Sequence, residues 1–394
     1  MTYDFDRCAP RRGTGCVKWD TAECGPDTIP MWVADMDFRV AEPIIEALHR
    51  RVEHGVFGYT EVGDAYYKAL IDWFARRHAW TIRREWVIYT TGVVPAISAI
   101  IKAITLPGDK ILIQSPVYNC FFSSIRNNGC GVEDNPLVYT DGTYHIDFDD
   151  FERKAADPKV RAFLLCNPHN PAGRVWSRSE LERMNDICLR HNVMVIADEI
   201  HCELVMPGHR FTPFASVSAA CEANAIVCNS PTKSFNIAGL QIANIICPDE
   251  RVRERIDRAI NINETCDVGP LGVEAFIAAY NESEGWIDAL CLYLNDNYQA
   301  LRAHFAQHHP ACTVTQLEGT YLVWVDIRST GLDADALTRK LLEEGDVLVN
   351  SGMMYGEVSG RHFIRINIAC PRHIMLEGLA RISKVLDKLN HTTD

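Results

Sequence analysis

The sequence predicts an α/β protein. A large domain with a mostly parallel sheet sandwiched by helices precedes a smaller α+β domain. Three observations predict this. From about residue 86 to residue 247, short apolar runs alternate with stretches of helical spacing, as strand–helix–strand units do. Several of the runs are continuously apolar and bounded by short polar segments, as buried parallel strands are. After Asp249 the alternation stops and helices dominate, with no Gly-, Pro- or Ser-rich linker at the change, so a long helix is the expected join. The chain has 394 residues, enough for two domains around a large core. The expected division is an amino-terminal segment at 1–40 packing with the small domain, a large domain at 41–285 and a small domain at 286–394.

Residues 1–40 read as mostly irregular, with Ile29-Pro-Met-Trp-Val-Ala-Asp-Met-Asp-Phe38 as a packed extended segment. Ala41 to His54 has a proline in its first turn and stops at Gly55, so it reads as a helix. A loop at Gly58-Tyr-Thr60 follows, then a helix at Asp64–Ala79 and a strand at Trp86–Tyr89. Gly92 opens a helix to about Leu106, Lys110–Gln114 is a strand, and Pro116–Asn127 a helix. Arg161–Cys166 is a strand, and Ser177-Arg-Ser-Glu180 is a capping box for a helix to about Arg190. Val193–Ala197, Ala225–Cys228 and Ala243–Cys247 are further strands. In the last third, Tyr321–Ile327 and Phe363–Ile368 read as strands, Asp333–Glu344 as a helix, and Pro371 as part of the first turn of a closing helix.

Composition narrows the function. Hydrophobic residues make up 47% and charged residues 23%, ordinary globular values. A net charge of −13 without a basic cluster argues against nucleic acid or an anionic membrane as partner. The start, Met1-Thr-Tyr-Asp-Phe-Asp-Arg-Cys8, lacks the basic and apolar regions of a signal peptide. No apolar run approaches the roughly 20 residues of a membrane span. Fifteen cysteines, an odd number with no C-x-x-C pair, read as free thiols in a reducing cytoplasm.

Chemistry concentrates in Asn229-Ser-Pro-Thr-Lys-Ser-Phe-Asn236, directly after an apolar strand. Lys233 there is either a solvated loop lysine or one that forms a Schiff base with an aldehyde cofactor, with nearby hydroxyls holding the cofactor's phosphate. Upstream, Asp198 ends a strand, where it suits a carboxylate that keeps a pyridine nitrogen protonated. Asn170 suits a donor to the ring's 3-oxygen, or is a plain Asn-Pro turn. Gly92 and Val93 open a helix whose free N–H groups suit a phosphate dianion, and Ser230 and Thr232 add hydroxyls. Arg365 is a charge inside the apolar strand Ile364–Ile368, so it either binds a substrate carboxylate or joins an internal ion pair. Tyr118 suits stacking on a pyridine face and lining the substrate site, and Tyr59 donating to the phosphate; taken alone, each reads more simply as a core or surface tyrosine.

The order Gly92, Tyr118, Asn170, Asp198, Lys233, Arg365 resembles the fold-type I pyridoxal 5'-phosphate (PLP) enzymes, those of the aspartate aminotransferase fold. Within them the chain is most similar to the cystathionine β-lyase or C–S lyase branch, the MalY and PatB type. The phrases that carry this are Lys18-Trp-Asp20, Pro30-Met-Trp-Val-Ala-Asp-Met-Asp-Phe38, Cys166-Asn-Pro-His-Asn-Pro-Ala-Gly173, Asp198-Glu-Ile-His201 and Lys233-Ser-Phe-Asn-Ile-Ala-Gly-Leu240. The resemblance implies a seven-stranded sheet, PLP on Lys233, and a homodimer in which Tyr59 reaches the partner's site. Two positions depart from the aminotransferase pattern. His201 stands where a tyrosine is usual and joins the cofactor-contacting candidates, and Gln241 replaces a phosphate-binding arginine. The reading is a PLP-dependent C–S β-lyase acting on cystathionine or other S-substituted cysteines. An aminotransferase, and a regulatory protein that retains PLP, are the alternatives.

Overall fold

A computed structural model describes residues 3–390. Seven strands form the main sheet: β1 (Val87–Thr90), β2 (Lys110–Ile113), β3 (Gly131–Asp134), β4 (Val160–Cys166), β5 (Met194–Asp198), β6 (Ala225–Asn229) and β7 (Ala243–Ile246). Their order in space is β1-β7-β6-β5-β4-β2-β3. Pairs among β2 to β6 are parallel, whereas β7 runs antiparallel to both β1 and β6. The middle strands are apolar throughout because both faces are covered. On one face, Ile97 of α3 (Val93–Ile104), Phe121 of α4 (Asn119–Asn127) and Ile256 of α6 (Glu250–Asn261) share a core with Ile111 and Ile196. On the other, Ile44 of α1 (Glu42–His54), Trp73 of α2 (Asp64–His78), Leu181 of α5 (Arg178–Arg190) and Phe276 of α7 (Pro270–Glu282) pack with Val195 and Val227.

The 25-residue helix α8 (Glu284–His308) leads into the last third. There β8 (Thr313–Val314), β9 (Leu322–Asp326), β10 (Asn350–Ser351) and β11 (Phe363–Asn367) form an antiparallel sheet in the order β8-β9-β11-β10. Helices α9 (Ala334–Gly345) and α10 (Arg372–Asn390) accompany it. Ile29–Pro30 pairs in parallel with Val347–Leu348, which ties the amino-terminal segment to this part.

Two sequence expectations are corrected, and one strand is added. Helix α4 starts at Asn119 rather than Pro116, because Val117 is extended and donates its N–H to the Tyr355 carbonyl at 2.8 Å. Strand β3 has no apolar run to mark it in the sequence, because Gly131-Val-Glu-Asp134 is a half-buried edge strand with two carboxylates. Pro371 lies just before α10, not within its first turn. Met31, in the segment read as packed and extended, is 1% exposed and buried within its own chain.

Candidate active site

The strands β2, β4, β5 and β6 end on one edge of the sheet, where open α/β sheets bind ligands. Most of the predicted residues hang from that edge. Asp198 is the last residue of β5, Asn170 lies in the loop leaving β4, and Lys233 lies in the turn after β6. Tyr118 and Gly92 are the N-caps of α4 and α3. Arg365 comes from the other sheet, in the middle of β11.

Asp198 is buried and accepts one backbone N–H, from Ile200 at 3.1 Å. Burial pushes its pKa up to about 7, against the pull of that amide and of Lys233. Neighbouring Glu199 is raised to about 8, again chiefly by burial, although Phe214 N–H at 2.7 Å and the Asn167 amide at 3.3 Å donate to its Oε1. His201 is held neutral, its pKa pushed down to about 3 by burial and then by the positive Lys233 and Arg365. Its Nδ1 is buried without a hydrogen-bond partner among the described residues.

Lys233 is half-buried, and its Nζ donates to the Ala34 carbonyl at 2.6 Å. Burial lowers its pKa, partly opposed by Asp35. Arg365 is 3% exposed. Its Nη1 donates to Asn170 Oδ1 at 3.1 Å and its Nη2 to the Trp32 carbonyl at 2.9 Å. Its guanidinium lies 4.6 Å from the centre of the Tyr355 ring. No carboxylate pairs with it among the described residues, and Nε is buried without a partner. The internal ion pair that the sequence left open is therefore absent there. A buried cation with only neutral acceptors is suited to an incoming carboxylate.

At the start of α3 no side chain caps Gly92 or Val93, so the first N–H groups of a 12-residue helix are free to bind an anion. Ser230 Oγ lies 2.8 Å from Thr232 Oγ1, donates to the Ile242 carbonyl at 2.6 Å and accepts the Thr232 N–H at 3.1 Å. Gln241 is exposed and brings no cation. Tyr118 is half-buried, and burial raises its pKa, with Asp198 adding and Arg365 opposing. The chain thus gathers Asn170, Asp198, His201, Lys233 and Arg365 with Tyr118. It does not bring Tyr59 to them: that residue is 99% exposed in a stretch without regular structure.

Sequence reasoning missed the Trp32 and Ala34 carbonyls and two tyrosines. Tyr321 donates to the Ala34 carbonyl at 3.0 Å, and Tyr355 lies under Arg365 and accepts from Asn350 at 2.9 Å. Backbone carbonyls carry no residue signature, and only the odd composition of the Pro30–Phe38 phrase pointed there.

The donor set fits a phosphorylated pyridine aldehyde: an amine, a buried acid, an uncapped helix start and a carboxylate-binding arginine. Residues 27–382 match the aminotransferase class I and II family. The chain belongs to it. It is 40% identical to the cystathionine beta-lyase PatB of Bacillus subtilis, over 97% of this chain and 100% of that one. It is 34% identical to the protein MalY of Escherichia coli, over 96% and 97%. Among solved structures, cystalysin from Treponema denticola, which contains a pyridoxal 5'-phosphate cofactor, superposes with a TM-score of 0.96 at 35% identity, covering 99% of this chain and 100% of that one. The PLP-bound C–S lyase from Staphylococcus hominis gives 0.90 at 33% identity, covering 98% and 99%. These relatives and solved structures thus match nearly the full length of the chain.

Proposed function

We propose that the protein is a PLP-dependent carbon–sulfur β-lyase that cleaves cystathionine or related S-substituted cysteines to a thiol, pyruvate and ammonia. The observation that carries this is Arg365, a buried guanidinium with neutral partners only, in one cluster with Lys233 and Asp198. The cofactor, when bound, supplies an electron sink beside the substrate's Cα. The chain's residues do the rest. Arg365 binds the α-carboxylate and fixes the substrate's orientation. Asp198 would keep the pyridine nitrogen protonated, Asn170 and His201 would serve the 3-oxygen, and Tyr118 would offer its ring to the pyridine. Gly92, Val93, Ser230 and Thr232 would hold the phosphate. Lys233, its pKa lowered by burial, takes the Cα proton. Cβ–S cleavage then expels the thiolate, which takes up a proton to leave as the thiol, and one water hydrolyses the remaining aminoacrylate to pyruvate and ammonia.

An aminotransferase shares every one of these residues. The similarity to PatB and to the C–S lyase, together with His201 and Gln241, supports the lyase. Incubating purified protein with cystathionine and no keto acid separates the two. Pyruvate should form; if it forms only after a keto acid is supplied, the lyase reading fails.

The unit proposed is a cytoplasmic homodimer, with Tyr59 entering the partner's site. The 15 free cysteines support a reducing compartment, and no helix is long and apolar enough to cross a membrane among the described residues. We place the domain boundary at the start of α8, giving a large domain at 41–285 and a small one at 286–394, with residues 1–40 belonging to the latter; the pairing of Ile29–Pro30 with Val347–Leu348 supports this.

A further inference from the structure

Two sequence phrases, Lys18-Trp-Asp20 and Pro30 to Phe38, supply no side chain to the chemistry above, yet they fold against it. Residues 32–37 form a strap whose carbonyls hold both reactive cations. The Trp32 carbonyl accepts from Arg365 at 2.9 Å and the Ala34 carbonyl from Lys233 at 2.6 Å. The strap is in turn held by a charged cluster. Asp37, 4% exposed, accepts from Lys18 Nζ at 2.8 Å, Arg11 at 2.7 Å and the Trp19 indole at 2.8 Å. Lys18 is 1% exposed.

Burying a lysine and an aspartate is costly, and an apolar pair of similar size often stabilises a fold as well. What a directional ion pair adds is a fixed register. Here Asp37, so fixed, lies three positions from Ala34 and five from Trp32, whose carbonyls accept from Lys233 and Arg365. An amine whose N–H is tied to a carbonyl has its lone pair fixed in direction, and a displacement of about 1 Å in such a site can cost on the order of 100-fold in rate.

We propose that Lys18 and Asp37 are positioning residues of the active site. Their buried ion pair locks the 32–37 strap so that the Ala34 carbonyl orients the Lys233 amine and the Trp32 carbonyl orients Arg365. The proposal rests on Lys233 being the group that reacts with the cofactor aldehyde, its amine condensing with the carbonyl carbon and releasing water.

The test uses full-length protein stripped of cofactor and mixed with pyridoxal 5'-phosphate. Visible absorbance reports capture by Lys233, hydrogen exchange reports the 32–37 amides, and urea unfolding reports the fold. The variants are Lys18→Met, Asp37→Asn, the milder Arg11→Gln, and Lys18→Arg as the conservative control. In folded Lys18→Met or Asp37→Asn, capture should slow by about tenfold while strap exchange rises. Arg11→Gln should shift both in the same direction by less, and Lys18→Arg should recover most of the loss. Unchanged capture in a folded variant overturns the proposal, as does slowed capture without faster strap exchange. Failure of every variant to fold also overturns it, since the pair would then serve the fold alone. Failure of wild-type protein to capture the aldehyde defeats the PLP reading itself, and the strap role with it.

Discussion

Three neighbouring side chains give sharp expectations at the scale of single residues. Lys233→Ala removes the group that captures the cofactor, so the purified wild-type protein should be yellow and the variant should lose that band. A wild type that stays colourless with added pyridoxal phosphate contradicts the assignment. Asp198→Ala should fall mainly on turnover, since a protonated ring nitrogen matters most as the Cα proton leaves. Near-wild-type kcat in that variant would mean that another group holds the nitrogen. Glu199 makes a pH prediction for the cofactor-free protein. Its folded pKa, about 8, lies above the ordinary 4.5, so the folded state binds the extra proton between these values. Stability therefore falls as pH rises through that window, by about 1.4 kcal/mol per pH unit at most for this one group. Glu199→Gln keeps the acceptor for the Phe214 N–H and cannot ionise. Its urea midpoint should exceed that of wild type near pH 8 and vary less with pH; equal slopes in the two proteins would show that Glu199 does not titrate there.

At the scale of elements, the sequence is most legible where one local force decides. The capping box at Ser177–Glu180 is present as read, and the apolar runs Arg161–Cys166, Val193–Ala197 and Ala225–Cys228 are central strands within a residue or two. Strand β3 was not legible, since an edge strand lacks the two buried faces that make a run apolar. The start of α4 was misread because extended pairing at Val117 displaces the first turn. Asn170, Asp198, Lys233 and Arg365 could be picked out because their side chains break or end apolar runs. Ala34 could not, because its backbone does the work. Gly173 links these elements and allows a test. Its φ of +74° is in the left-handed region, and a Cβ there would sit 3.1 Å from the Gln316 carbonyl. Gly173→Ala should cost roughly 1–2 kcal/mol in unfolding free energy. It should also lower kcat/KM, because the same loop carries Asn170 to Arg365. A variant as stable as wild type would show that the turn adapts.

The whole molecule leaves one predicted residue unexplained within a single chain. Tyr59 is 99% exposed, and Val52, Val56 and Phe57 close by are each more than half exposed. A run of large apolar residues turned outward calls for a cover, and aromatics are enriched in interface cores. A two-fold dimer would cover it and bring Tyr59 of one protomer toward the phosphate residues of the other. Each site would then draw on two chains, which mixing can reveal. Tyr59→Ala retains Lys233 and Lys233→Ala retains Tyr59, so a hybrid of the two inactive variants contains one site with both native residues. Random exchange makes half the dimers hybrid, each with one of two sites intact, so about a quarter of wild-type activity should return. Size and charge tags on the two variants establish independently that hybrids form. If they form and no activity returns, or if diluted monomer is fully active, then Tyr59 acts within its own chain or not at all.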